Sequence, residues 1–118
     1  MAVFRKIEDL ITQGFCDQRG AATCASVSSF PEGKRTKKFG VLLLTVKDEY
    51  LHIYEVDLKN NIGDRVAYLE IKRMENFILK ANMLIQLLAF DYEGEYYEFT
   101  NFTNHKKLKQ AFAEEREK

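Results

Sequence analysis

The chain has 118 residues, a length typical of one domain, and 46% of them are hydrophobic, which is enough for an ordinary buried core. Its 18 basic and 18 acidic residues cancel, and this balance argues against a dedicated nucleic-acid-binding protein, which usually carries a basic excess. We therefore predict a single folded domain, residues 1–118, that does not bind nucleic acid.

Neither the N-terminus nor the cysteines suggest secretion. The first seven residues are charged and lack a long apolar segment, so they do not resemble a signal peptide. The longest apolar stretches, residues 41–44 and 87–90, are too short to cross a bilayer. Cys16 and Cys24 match no zinc or redox spacing, and we expect two free thiols in a cytoplasmic protein.

Two elements are predicted before the main run of strands. An amphipathic helix is expected over residues 3–13, where apolar residues recur at helical spacing. Residues 21–29 place small and β-branched side chains on one face and are interpreted as a strand, although Ala and Ser are poor strand formers. A loop follows at residues 30–38, because Pro31 and Gly33 interrupt regular structure there.

Six strand-like runs then follow one another, separated by turn-like residues. They lie at residues 39–46, 50–57, 65–71, 77–80, 83–91 and 95–100. No connection between them is long enough to hold a crossover helix, so we expect antiparallel pairing. Apolar residues such as Leu51 and Ile53 alternate with His52 and Tyr54, a pattern that indicates strands with one face exposed to solvent. The continuously apolar residues 41–44 and 84–90 indicate strands covered on both faces.

A short helix is predicted over residues 103–115, and its apolar stripe is expected to close one end of the sheet. Side chains from the strands and from this helix are predicted to fill the interior of the domain. They are Leu42, Leu44, Leu51, Ile53, Leu69, Ile71, Leu87, Phe99, Leu108 and Phe112.

Residues 40–112 resemble the pleckstrin-homology-like (PH-like) domain of the bacterial type. The resemblance is carried by the apolar run 41–45, the run 50–54, the segment 67–74, and the run 96–99 before the last helix. It implies an α+β, mainly antiparallel open barrel of about seven strands with a closing C-terminal helix, here with an added N-terminal helix. It also implies a non-enzymatic binding module without a cofactor. The chain has no tryptophan, whereas eukaryotic members typically carry one in the closing helix.

A cluster of cations lies in the loop before the first long strand. Lys34, Arg35, Lys37 and Lys38 fall within five residues, and several cations that converge on phosphate oxygens form a sound anion-binding site. Eukaryotic PH domains hold acidic lipid headgroups with basic residues of the corresponding loop. The more common interpretation of such a loop is a solvated guard that keeps a sheet edge unpaired.

The histidines do not indicate a metal site. His52 and His105 have no ligand partners at the spacing that metal sites use, so no metal is expected. His52 is predicted to share a strand face with Tyr50 and Tyr54.

No residue is predicted to be catalytic. The chain has neither a nucleophile motif nor a glycine-rich phosphate loop. A small cone-shaped α+β enzyme or ligand-binding protein would instead need an acid among apolar strand residues, for which Asp91 and Glu70 are the candidates.

The sequence thus favours a binding module whose partner is a protein, held by strand addition at an open sheet edge or by an aromatic patch. Acidic lipid headgroups at the basic loop are a further expectation. Two alternatives remain open: a small enzyme or ligand-binding protein with an internal pocket, and a structural homo-oligomer. An enclosed apolar pocket with a carboxylate would favour the enzyme, whereas a filled interior would favour the binding module or the oligomer.

Overall fold

A computed structural model describes residues 2–33 and 40–118 of the chain. Strands predominate over helices in this structure. The elements are β1 (Ala2–Val3), α1 (Ile7–Thr12), β2 (Ala22–Ser29), β3 (Val41–Lys47), β4 (Tyr50–Val56), β5 (Asn61–Glu70), a 3-10 turn (Ile71–Arg73), β6 (Glu75–Ala81), β7 (Gln86–Tyr92), β8 (Glu95–Thr100) and α2 (His105–Arg116).

The described strands form one antiparallel sheet in the order β1-β5-β4-β3-β2-β8-β7-β6. β2 is the central strand, because it pairs with β3 on one side and with β8 on the other. β1 and β6 are the two ends of this order, so the sheet is open. The predicted α+β, mainly antiparallel architecture is confirmed.

The N-terminal segment differs from the helix predicted over residues 3–13. Ala2–Val3 pairs with the start of β5 and adds an eighth strand to the seven expected. The Asp9 carboxylate accepts hydrogen bonds from the backbone N–H groups of Arg5 and Lys6, at 2.8 and 3.2 Å. These bonds satisfy donors at the start of the helix, so α1 begins only after Lys6.

β7 also begins later than the run of residues 83–91 predicts. The Asn82 side-chain oxygen accepts hydrogen bonds from the backbone N–H groups of Leu84 and Ile85, at 2.8 and 2.9 Å. This side chain holds a tight turn at the end of β6. The apolar residues of the turn therefore take no part in the pairing of β6 with β7. β7 therefore starts at Gln86.

The main core lies between the inner face of the sheet and α2. It contains nine of the ten side chains that were predicted to fill the interior: Leu42, Leu44, Leu51, Ile53, Leu69, Ile71, Phe99, Leu108 and Phe112. The tenth prediction, Leu87, is wrong. β7 turns Leu88 and Phe90 into the core, so the alternation of the strand leaves Leu87 only half-buried.

A second cluster, the outer core, covers part of the opposite face of the sheet. The N-terminal segment contributes Leu10 and Cys16, and the strands beneath contribute Ala22, Leu43, Val56 and Ile62. Leu43 thus lies in the outer core while Leu42 and Leu44 lie in the main core. Residues 42–44 are thus covered on both faces as predicted, but Val41 is exposed. The same prediction for residues 84–90 is wrong at its start, where Leu84 and Ile85 lie exposed in the turn before β7.

Candidate functional site

Two long stretches of sheet edge are unpaired among the described strands: the outer side of β6, at one end of the sheet, and most of β5. β5 pairs with β4 on one side, whereas on the other side β1 reaches only Asn61 and Ile62. From Gly63 to Glu70, no described strand pairs with that side of β5. An unpaired edge presents backbone N–H and C=O groups that another extended chain can engage.

A cleft of about 530 Å³ opens beside this edge. Residues 65–70 of β5 form one wall, and Tyr92, Glu93 and Tyr97 from the β7–β8 hairpin lie across from it. Arg73 from the 3-10 turn completes the lining together with Tyr50. The cleft therefore combines exposed backbone, aromatic rings and charges of both signs.

One end of the cleft is held together by a small network. The Tyr92 hydroxyl accepts hydrogen bonds from the Glu70 backbone N–H, at 3.2 Å, and from the Arg73 guanidinium, at 3.3 Å. The same guanidinium lies 5.2 Å from the Tyr92 ring centre and 3.2 Å from the Glu93 carboxylate. Because the N–H of Glu70 points away from β4, the alternation of the strand directs the N–H and C=O of Tyr68 into the cleft as well.

An aromatic ladder runs along the outer face of β4 and β5. It consists of Tyr50, His52 and Tyr54 from β4 and Tyr68 from β5. The Tyr68 ring lies 5.5 Å from that of Tyr50 and 6.2 Å from that of His52, and the His52 and Tyr54 rings are 6.4 Å apart. Phe15 packs edge-on against Tyr54 at 5.1 Å, so the ladder continues the outer core towards solvent.

A β-bulge brings a cation onto this ladder. Ile53 is opposite Ala67, but the next residue, Tyr54, is opposite Arg65, so one residue of β5 is skipped. A bulge redirects the side chains that follow or precede it. As a result the Arg65 guanidinium lies 4.4 Å from the Tyr68 ring centre, and its Nη1 lies 3.3 Å from Nδ1 of His52.

Burial and nearby cations favour the neutral form of His52 by lowering its pKa. The pKa of His52 lies below its usual value of 6.5, chiefly because the ring is desolvated and also because of the positive charges of Arg65 and Lys47. Guanidinium can only donate, so a neutral imidazole accepts the hydrogen bond from Arg65. The rings of the ladder are therefore held in place by their mutual contacts, and Arg65 and Tyr68 form a cation–π pair on it.

Of the remaining residues singled out from sequence, Glu70, Asp91 and His105 are described, and each has its own contacts. Lys34, Arg35, Lys37 and Lys38 lie outside the described residues, so their proposed anion site stays a prediction. Glu70 lines the cleft and Asp91 accepts a hydrogen bond from Asn76 at 2.8 Å. His105 contacts the backbone oxygen of Phe102 at 3.0 Å.

The cysteine thiols are free, and burial makes both of them poor nucleophiles because it disfavours the thiolate. Burial is the main reason that the pKa of Cys16 rises to about 11, and burial also raises the pKa of Cys24. Within the described parts of the chain, no three His, Cys, Asp or Glu side chains converge as a bound metal ion would require.

The shared face of Tyr50, His52 and Tyr54 is confirmed by their ring contacts. The contributions of Tyr68 and Arg65 were missed. Tyr68 could have been found from the alternation of its own strand, but the bulge that directs Arg65 to the ladder leaves no signal in a single sequence.

No protein-family model, curated protein or solved structure matches the chain. No helix in residues 2–33 or 40–118 is long and apolar enough to traverse a lipid bilayer. The geometry of the described residues therefore carries the functional argument.

Proposed function

We propose that this chain is a non-enzymatic, PH-like binding module that captures an extended segment of a partner protein at the free edge of β5. The observation that carries the proposal is the unpaired stretch from Gly63 to Glu70 beside a cleft of about 530 Å³. Main-chain hydrogen bonds along such an edge supply affinity, and neighbouring pockets select side chains.

The cleft offers specific contacts to an added strand. Tyr68 has 55% of its surface exposed and directs its backbone groups into the cleft. Its ring stands beside Tyr50 and under Arg65. Tyr and Arg are the residues that most often dominate protein interfaces, because they offer a large contact area and a hydrogen-bonding end. Charges of both signs at Arg65, Glu70 and Arg73 suit a peptide with mixed charges.

The interior supports a binding module rather than an enzyme. Aromatic rings fill the main core: Phe90 stacks on Tyr97 at 5.1 Å, and Phe30 packs edge-on against Tyr97 at 5.3 Å. The closing helix buries Leu108 and Phe112 over the same core. An open antiparallel sheet with a filled interior and one closing helix is what the PH-like resemblance implies. Because both cysteines are free thiols, we place this module in a reducing, cytoplasmic setting.

A pair of substitutions at one position tests the role of the backbone. Tyr68→Ala removes the ring but keeps the edge N–H, whereas Tyr68→Pro removes both. Proline is tolerated on an edge strand when its missing N–H faces away from the neighbouring strand. Peptides selected from a displayed library of random linear sequences serve as the probe. We expect Tyr68→Pro to weaken their binding about tenfold more than Tyr68→Ala does, since it removes a main-chain hydrogen bond.

Two results would contradict the proposal. One is equal binding by the two variants. The other is a set of selected peptides that leave the amide hydrogen exchange of Tyr68 unchanged. Sedimentation of the chain alone supplies the control for self-association: a dimer that Tyr68→Pro dissociates would assign the edge to a second copy.

A further inference from the structure

The hairpin between β6 and β7 has an unusually apolar end. Met83, Leu84 and Ile85, named here the apolar tip, are 95%, 91% and 55% exposed. Consecutive exposed apolar residues mark a surface that is covered by a partner or a membrane, whereas single ones are ordinary. Leu58, which is 100% exposed in another turn, is such a single residue.

The tip is held in place by its own hydrogen bonds. The Asn82 backbone N–H donates to the carbonyl of Ile85 at 2.9 Å, and the Asn82 side chain accepts from Leu84 and Ile85. Gln86 closes the turn by donating its side-chain N–H to the Asn82 carbonyl at 2.8 Å. The apolar side chains therefore project from a formed turn, so little conformational entropy is lost when a partner covers them.

Two segments of the sequence, the hairpin that carries the tip and the first half of α2, contain basic but no acidic side chains. No acidic residue occurs between Glu75 and Asp91, which includes the whole hairpin turn, or between Glu98 and Glu114, which includes the first half of α2. These two segments carry basic side chains, although the complete chain has no formal net charge. The basic residues are Lys80, Lys106, Lys107 and Lys109.

The packing of α2 against β6 brings Lys109 to one side of the hairpin, and Lys80 of β6 lies on the other side. Arg116 stands 4.4 Å from the Phe77 ring centre, and Lys109 lines the same groove as Leu79. Lys109 is seven residues before Arg116, so it lies about 10 Å nearer to the tip along the helix. Lys80 follows Leu79 on the strand and points to the opposite face of β6.

We propose that the apolar tip docks the protein on an anionic phospholipid surface. The tip side chains enter the boundary between headgroups and acyl chains, while Lys80 and Lys109 reach the phosphate layer with their ammonium groups. An apolar end flanked by cations matches a surface that is apolar inside and negative outside. This site is separate from the β5 edge, so the protein has one surface for a peptide and another for the membrane.

The lack of tryptophan makes the test direct. The Leu84→Trp variant carries a single fluorescent reporter at the tip, and Leu58→Trp carries the same reporter at an equally exposed turn. We expect vesicles of phosphatidylcholine and phosphatidylserine to shift the emission of Leu84→Trp to the blue, and brominated lipids to quench it. Leu58→Trp is expected to keep its emission in water.

Vesicle sedimentation then separates apolar insertion from charge. The double change Met83→Gln and Leu84→Gln is expected to weaken partitioning about tenfold, while Leu58→Gln leaves it unchanged. Replacing Lys80 and Lys109 by Gln is expected to weaken binding about fivefold per residue at low ionic strength. Thermal melting checks that every variant stays folded.

Three results would overturn the proposal. The first is an unshifted Leu84→Trp emission with anionic vesicles at low salt. The second is vesicle binding that survives the tip change but is lost when Lys34, Arg35, Lys37 and Lys38 become Gln, which would assign the membrane to the basic loop. The third is self-association that the tip change abolishes without any vesicle binding, which would assign the tip to a second copy.

Discussion

The two faces of the sheet are covered to different extents. The inner face is filled by the main core and closed by α2, whose Leu108 and Phe112 are buried. The outer face is covered only where the N-terminal segment lies, and beyond Tyr54 it opens into the aromatic ladder. The inner face therefore serves stability, while the outer face is divided between a small core and an exposed aromatic surface.

β3 shows how one strand can serve both faces. Leu42 and Leu44 are buried in the main core and Leu43 in the outer core, because successive side chains of a strand point in opposite directions. The main core continues under β7, β8 and α2, whereas the outer core ends within a few residues. We therefore expect the loss of a buried side chain to lower the free energy of unfolding more in the main core than in the outer core.

The largest effect is expected for Phe112→Ala. Phe112 is 1% exposed and packs 5.3 Å from the Phe77 ring, at the contact that closes the main core. Truncation should lower the free energy of unfolding by about 3–5 kcal/mol, measured by chemical denaturation. Tyr96→Ala on the exposed side of β8 is the control, and a loss below about 1 kcal/mol for Phe112→Ala would mean that α2 does not close the core.

A smaller effect is expected for Leu10→Ala in the outer core. Leu10 is 1% exposed, but the cluster around it contains only six buried residues and its cover is a short helix. The surroundings can collapse into the space, so the loss should be near the lower limit for buried leucines, about 2 kcal/mol. An equal loss for Leu10→Ala and Phe112→Ala would show that the outer core is as rigid as the main core.

An ion-pair network links the N-terminal segment to the closing helix. Arg19 contacts the Glu115 carboxylate at 2.6 Å and that of Asp17 at 2.7 Å, and Lys118 contacts Glu115 at 3.0 Å. Glu115 is 3% exposed, so Glu115→Gln should lower stability at pH 7 by about 2 kcal/mol, as expected for a charged hydrogen bond. Glu114→Gln is the control, since Glu114 is half-exposed and lies 3.8 Å from Arg19.

The same network predicts a dependence on pH. Burial raises the pKa of Glu115, but the hydrogen bonds from Arg19 and Lys118 outweigh it and hold the pKa below 4.5. A carboxyl with a lowered pKa stabilises the fold fully above its unfolded value, and this contribution is lost as the pH falls through the folded value. The difference between wild type and Glu115→Gln should therefore shrink below pH 4.5. A difference that stays constant down to pH 3 would contradict the ionic origin.

The sequence was most informative where one rule decides the outcome. Strand alternation identified the buried set around Leu51, Ile53 and Phe99, because burial on one face follows from a period of two. In the apolar run 87–90 both alternating sets are apolar, so Leu87 was assigned to the core although Leu88 and Phe90 occupy it. The start of β7 depends on hydrogen bonds to the Asn82 side chain, which periodicity does not reveal.

The candidate site was less predictable than the fold. The aromatic face of β4 follows from the spacing of Tyr50 and His52, but the free edge of β5 depends on the register of β1, which pairs only with Asn61 and Ile62. The position of Arg65 depends on a bulge. Edges and bulges are set by how distant segments pair, which a single sequence does not encode locally.

The smallest changes in stability are expected on the outer face at mildly acidic pH. Because the pKa of His52 is lowered below 6.5 by burial and by Arg65 and Lys47, the folded protein binds fewer protons there than the unfolded chain. Stability is then complete above pH 6.5 and falls as the pH drops towards the folded pKa. We expect a small loss of stability in denaturation curves between pH 7.5 and 5, and a flatter profile for His52→Gln.

Arg65→Gln separates the two causes of the His52 shift. The variant removes a cation whose Nη1 lies 3.3 Å from Nδ1 of His52 but leaves the neighbouring rings in place. The pKa of His52, followed by NMR of the ring protons, should rise towards 6.5 without reaching it, because burial is the larger cause. Arg73→Gln, at the other end of the cleft, is the matched control and should leave it unchanged. If Arg65→Gln left the pKa of His52 unchanged, the guanidinium would point to solvent. The ladder would then present only its rings to a partner.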